Sequence, residues 1–159
     1  MANVSTHTIS VLCVDDNELG LQIRQAMLQT FGFVVHLATS GVVALQLMQH
    51  THIDVVVLDY HMPDMNGAEL SQRIKQDHPG TPIIMLTGYP YDVPPATLQL
   101  VDATLVKGES PEKLLETLLR VTGSSFKRPP MSQKEMTDRN VDHIQAVTKY
   151  LKTQRHRKH

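Results

Sequence analysis

The sequence predicts a doubly wound α/β fold, in which a five-stranded parallel sheet carries helices on both faces. Three observations support that expectation. Short apolar segments alternate with stretches of helical periodicity along residues 1–122, the order expected of strands joined by right-handed helical crossovers. The apolar segments are near-continuous runs rather than apolar–polar alternations, as for strands covered on both sides. All but the second run end on a charged or hydroxyl-bearing residue, at the carboxyl edge where open α/β sheets place their chemistry.

Thr8–Val14 is the first run and stops at Asp15-Asp16. Asn17 is placed to cap the next helix, where Leu19, Ile23, Ala26 and Thr30 recur at helical spacing until Gly32 ends it. Phe33–Leu37 is the second strand, and Ser40 offers a cap to a helix over Val42–Gln49 with Val42, Leu45 and Met48 at spacing three. The third strand, Val55–Leu58, begins with three β-branched residues and ends on Asp59. Pro63 and Gly67 then break regular structure. Glu69–Asp77 reads as a helix on Leu70 and Ile74, stopped by Pro79-Gly80, and Pro82–Leu86 is a fourth strand ending on Thr87-Gly88. Pro90, Pro94 and Pro95 leave room only for a short fourth helix around Ala96–Val101. Ala103–Val106 is the fifth strand and runs into Lys107-Gly108. Ser110 caps the last helix, with Pro111 at its first position and Leu114, Leu115, Leu118 and Leu119 on its buried face.

The 159 residues suit one domain with a short extension, and an aromatic content of 4% leaves the core to aliphatic packing. No apolar run approaches the roughly 20 residues of a membrane span, and no basic-then-apolar leader opens the sequence, so the chain is read as cytoplasmic. The single cysteine, Cys13, rules out an internal disulfide or a thiolate zinc cluster, and its place inside an apolar strand makes it an inert buried thiol. The net charge of −1 conceals an asymmetry: residues 1–122 hold 6 Lys and Arg against 13 Asp and Glu, whereas residues 123–159 hold 9 against 3. An acidic body with a basic tail implies an appendage with its own partner, or one that folds back on the body. The body is assigned to 1–122, a Gly-Ser and Pro-rich linker to 123–131, and a basic extension to 132–159, with one helix over Ser132–Lys152 carrying Val141, Ile144, Thr148 and Leu151 on a stripe.

The strand ends define a candidate site. A doubly wound sheet brings Asp15, Asp16, Asp59, Thr87 and Lys107 to one edge, although they are far apart in sequence. Two like charges roughly 4 Å apart cost about 4 kcal/mol at an effective dielectric near 20. Converging acids must therefore take up protons or bind a cation, and Mg²⁺ suits few carboxylates and several waters. Asp59 could then attack phosphorus, with Lys107 and the Thr87 hydroxyl offsetting charge on the phosphoryl oxygens.

Asp15-Asp16, Asp59-x-x-Met62-Pro63-x-Met65-x-Gly67, Thr87-Gly88 and Lys107 resemble the receiver domain of two-component response regulators, and Ser40-Gly41-x-x-Ala44-Leu45 is similar to that family's second helix. The resemblance covers residues 7–122. It implies the flavodoxin-like strand order 2-1-3-4-5 and Asp59 as phosphoacceptor. Asp16, Asp59 and the backbone carbonyl of His61 would ligate Mg²⁺, with Asp15 supporting the ion through water. Thr87 would be the switch hydroxyl and Lys107 the phosphate-contacting cation. The phosphoryl donor would be the phosphohistidine of a sensor histidine kinase or histidine phosphotransfer protein, and the signal would leave through contacts with a downstream protein. Gly108 stands where the family usually has proline after the lysine, Thr104 where it usually has Tyr or Phe, and a proline-rich 88–102 replaces most of the fourth helix. Phosphorylation is expected to persist and its readout to differ.

Two other chemistries share parts of this pattern. A Mg²⁺-dependent phosphohydrolase of the haloacid-dehalogenase kind would place its acids as Asp-x-Asp, whereas Asp15 and Asp16 are adjacent. A nucleic-acid-associated regulator would act through the basic tail, but no helix-turn-helix or zinc module fits in so few residues. His61 and Tyr89 border the site without an assigned side-chain role, and the remaining histidines lack metal-ligand spacing on any one element and are read as surface residues. Oligomeric state stays open, a homodimer included.

Overall fold

A computed structural model describes residues 7–124 and, beyond them, Gln145. Its strands are β1 (Ser10–Val14), β2 (Val34–Ala38), β3 (Val55–Asp59), β4 (Ile83–Thr87) and β5 (Ala103–Val106), all parallel, in the order β2-β1-β3-β4-β5. The chain steps from β1 outward to β2, then back past β1 to β3. The crevice between the carboxyl ends of β1 and β3 is therefore the topological switch point, where such sheets bind their ligands.

The helices are α1 (Glu18–Thr30), α2 (Gly41–His50), α3 (Gly67–Asp77), α4 (Pro95–Leu100) and α5 (Pro111–Val121), with a 3-10 turn at Pro90–Asp92. Strand alternation splits the core into two layers. Val55 and Val57 of β3 face Leu21 and Leu28 of α1 and Leu114 and Leu118 of α5. Val56 and Leu58 face Ala44 and Met48 of α2 and Leu70 and Ile74 of α3. Every residue of β3 and β4 is buried, which is why their sequences read as unbroken apolar runs. Asn17, Ser40 and Asn66 cap α1, α2 and α3 by accepting the N–H of Gly20, Val43 and Glu69.

Helix faces depart from the sequence expectation. In α1 the buried positions are Leu21 and Leu28, while Ala26 and Thr30 are exposed. The stripe between those leucines includes Arg24, a charge that hid the face from an apolar-periodicity reading. In α2 the inward residues are Gly41, Ala44 and Met48, and Val42 is 56% exposed. Small residues win there because the helix start lies against Met65: a Cβ at Gly41 would come within 2.6 Å of its Sδ. Ser110 makes no side-chain cap; its backbone carbonyl instead accepts the Lys113 N–H at 3.0 Å. The fourth helix is short, as its prolines require, spanning 6 residues. The 123–131 linker and the Ser132–Lys152 helix fall outside the described residues except for Ser124, Gly123 and Gln145.

Gly67 closes the loop after β3. Its N–H donates to Tyr60 O at 2.9 Å, and a Cβ there would meet Tyr60 Cα at 2.7 Å and Asp59 O at 2.9 Å. Gly67→Ala is expected to destabilise the fold by about 1–3 kcal/mol in urea denaturation. Gly80→Ala, whose Cβ meets nothing within 4 Å, serves as the tolerated control.

Candidate functional site

The predicted residues meet at the carboxyl edge of the sheet. Asp59 is the last residue of β3 and Thr87 the last of β4, Asp15 follows β1, and Lys107 follows β5. Parallel registry sets Asp59 beside Leu86 and Thr87 beside Val106, so the site residues stand on adjacent strands. Carboxylate oxygens of Asp15, Asp16 and Asp59 lie within 4.8 Å of one another. Asp15 and Asp59 are buried and Asp16 is exposed.

Cations and N–H donors hold these carboxylates. Lys107 Nζ lies 2.8 Å from Asp59 Oδ2 and 3.8 Å from Asp15 Oδ2. The Lys107 N–H donates to Thr87 O at 2.8 Å, which fixes the base of the lysine. Asp59 Oδ1 accepts the His61 N–H at 3.3 Å, and Asp15 Oδ1 accepts the Asn17 N–H at 3.0 Å. Burial pushes the Asp59 carboxyl above its ordinary value; the Lys107 hydrogen bond opposes that shift, and the neighbouring Asp15 charge adds to it. Thr87 is fully buried, and its Oγ1 accepts the Tyr89 N–H at 3.0 Å.

Arg24 is the member that the sequence reading missed. It comes up from α1, with Nη2 3.8 Å from Asp15 Oδ2 and its side chain 15% exposed. Its Nη1 is buried without a hydrogen-bond partner among the described residues. Burial pushes the Cys13 thiol up to about 11 against the pull of the Arg24 guanidinium, so the thiol is inert as expected. The available signal was a lone charge three positions after Leu21 and four before Leu28 on a helix following the paired acids. The His61 ring lies outside the acid cluster: its Nε2 is 3.9 Å from Asp92 Oδ2 of the 3-10 turn, and its ring stands edge-on to Tyr60 and Tyr89.

The departures from the family pattern also have structural form. No cis peptide bond occurs among the described residues, and Gly108 turns the chain after Lys107 at φ 93°, a conformation glycine adopts readily. Thr104 is half-buried on β5 opposite Met85. The nearby aromatics, Tyr89 and Tyr91, are exposed.

Residues 11–119 match the sequence profile of the Response regulator receiver domain. The chain belongs to this receiver family. Relatives include the autoinducer 1 sensor kinase/phosphatase LuxN of Vibrio harveyi, 36% identical over 54% of this chain and 10% of that protein. The sensor histidine kinase GacS of Pseudomonas protegens is 33% identical over 78% of this chain and 14% of that protein. The chain thus spans a small part of these curated relatives. Among solved structures, Vibrio cholerae chemotaxis protein CheY4 is similar at 34% identity and TM-score 0.66, covering 72% of this chain and 99% of that one. Response regulator TrrA of Thermotoga maritima, in complex with Mg²⁺–BeF, is similar at 26% identity and TM-score 0.68, with the same coverage. The receiver fold, with strand order 2-1-3-4-5, is that anticipated from the motifs.

The raised Asp59 carboxyl has a measurable consequence. Between the unfolded value near 3.8 and the higher folded value, the native state binds more protons than the unfolded one. Stability is therefore lost as pH rises through that window. Without divalent ions, Asp59→Asn is expected to raise Tm at neutral pH, and the gain should vanish below the unfolded value, where Asp59 is protonated in both states. Thermal melts of both proteins from pH 3 to 7 check this, pH 3 lying about one unit below the ordinary Asp value.

Proposed function

We propose that this receiver accepts a phosphoryl group on Asp59 from the phosphohistidine of a sensor histidine kinase or histidine phosphotransfer protein, and signals through protein–protein contacts in the cytoplasm. The reading rests on one observation: a buried acid at the end of the central strand, hydrogen bonded to Lys107 and ringed by two further acids. The kinases among its relatives support the donor class. No described helix is long and apolar enough to cross a membrane. In this reading residues 1–122 form the signalling body, and 123–131 and 132–159 are a linker and a basic appendage.

The acid cluster fits Mg²⁺, because its donors are hard oxygens and three carboxylates outnumber the two cations beside them. Asp16, Asp59 and the His61 carbonyl would hold the ion, with Asp15 joined through water, and the bound ion would offset charge on the carboxylates and the incoming phosphoryl oxygens. A carboxylate oxygen of Asp59 attacks phosphorus in line with the departing imidazole nitrogen. The O–P bond forms as the N–P bond breaks, and the electron pair leaves with the histidine. Lys107 Nζ, already 2.8 Å from Asp59, transfers its hydrogen bond to a phosphoryl oxygen. Thr87 Oγ1 accepts from Tyr89 N–H and keeps its own O–H to donate to a second one. With Thr104 at the usual aromatic position and both nearby tyrosines exposed, movement of Thr87 reaches the surface through the segment 88–102 rather than through an inward-turning ring.

Incubation with acetyl phosphate and Mg²⁺ should add one phosphoryl mass to the wild type and none to Asp59→Asn, and chelating Mg²⁺ should abolish the reaction. An unlabelled wild type overturns the reading, as would steady turnover of a small phosphomonoester. Lys107→Ala should slow labelling by about 10²-fold, the scale for losing one preorganised donor. Arg24→Leu removes a competing positive charge next to Asp15, so Mg²⁺ should bind roughly tenfold more tightly by titration calorimetry.

A further inference from the structure

We propose that His7, His52 and Asp54 form a second divalent-cation site, selective for a zinc-class transition ion, at the amino-terminal edge of the sheet. His7 precedes β1, while His52 and Asp54 precede β3. Because β1 and β3 are adjacent and parallel, their lead-in segments emerge side by side, at the opposite edge from Asp59. A reciprocal backbone link joins them: the Asp54 N–H donates to Ser10 O at 2.9 Å, and the Ser10 N–H donates to Asp54 Oδ2 at 2.7 Å. The carboxylate is therefore held in one orientation by main chain on the neighbouring strand, as outer-shell donors hold metal-ligating carboxylates.

Two imidazoles converge on that oriented group. His52 Nε2 is 2.8 Å from Asp54 Oδ1, and His7 Nε2 is 3.1 Å from both Asp54 oxygens. One ligand atom from each residue lies within 4.8 Å of the others. Zinc bonds of roughly 2.0–2.2 Å to nitrogen and oxygen separate tetrahedral ligand atoms by a little over 3 Å. Both histidine–carboxylate pairs already have nearly that spacing, and the imidazoles can turn lone pairs to an ion once each ring proton shifts from Nε2 to Nδ1. The histidine side chains are 67% and 75% exposed, against 18% for Asp54, so a fourth position stays open to water and the ion has an entry path. The backbone of the site is anchored, while its ligand rings can adjust.

Ligand chemistry separates this site from the acid cluster. Mg²⁺ takes oxygen donors and gives up its waters reluctantly, whereas paired imidazoles with one carboxylate favour zinc-class ions. Occupancy would staple the segment before β1 to the α2–β3 connection. Since the three residues lie together only in the folded chain, binding stabilises the fold.

The test uses the full chain in excess Mg²⁺, with Zn²⁺ titrated by calorimetry and Tm followed in parallel; Co²⁺ absorption reports coordination geometry. The expected result is a Zn²⁺-dependent rise in Tm that survives in Asp59→Asn, with affinity at least tenfold weaker and the rise lost in both His7→Ala and His52→Ala. The replaced rings are exposed, and circular dichroism of the variants without metal confirms folding. Other histidines could bind Zn²⁺ weakly, so the difference between wild type and variants carries the conclusion. The proposal is overturned if the wild type shows no Zn²⁺-dependent stabilisation, if either histidine variant retains it, or if Asp59→Asn abolishes it.

Discussion

Mutual repulsion among Asp15, Asp16 and Asp59 is the constraint around which the rest of this molecule is arranged. Oxygens of the three approach within 4.8 Å, and two of the residues are almost fully buried, where little solvent screens them. A fold can sustain that only with rigid backing and nearby positive charge. The fully buried β3 and β4 provide the backing, and Arg24 from α1 and Lys107 from the end of β5 reach the same Asp15 oxygen at 3.8 Å. Negative charge remains in excess there, with three carboxylates against two cations. Such a local electrostatic cost held in place by the scaffold is the usual relation between a functional site and its fold.

Close packing transmits that arrangement to the loops. Gly67 lets the chain after β3 return against Tyr60 and Asp59 with no room for a side chain, and Gly41 admits Met65 against the start of α2. The loop after β3 is thereby clamped between two helix starts, each capped by a side chain immediately before it, Ser40 and Asn66. The far side is built differently. After β4 the chain passes through a 3-10 turn and a helix of 6 residues, exposes Tyr89 and Tyr91, and meets Gly108 at positive φ after β5. The α2–α3 side is thus closely packed at Gly41 and Gly67, whereas the chain after β4 turns sharply and leaves its tyrosines exposed next to Thr87.

The strands and the acid, hydroxyl and lysine set were legible in the residues because each is a local pattern: an apolar run followed at once by a polar residue. Helix faces were less legible. Arg24 occupies a buried stripe position that an apolar count skips, and Gly41 with Ala44 face inward while the more hydrophobic Val42 faces out, because fit against Met65 outweighs side-chain hydrophobicity. The Ser110 cap failed because the backbone carbonyl, rather than the hydroxyl, satisfies the Lys113 N–H.

Amino-acid order by itself determined the alternation of buried strands and helices, and hence which residues stand at strand ends. Those features depend on hydrophobic periodicity and turn residues within a few positions of each other. Only tertiary structure decided which distant groups became neighbours at those ends. Parallel pairing of β1 with β3 brings Asp59 to Asp15 at one edge, and by the same registry brings His7 to His52 and Asp54 at the other. The long-range pairing that creates both clusters is set by how the helices cover the two faces of the sheet, a property of the whole chain that no local window contains.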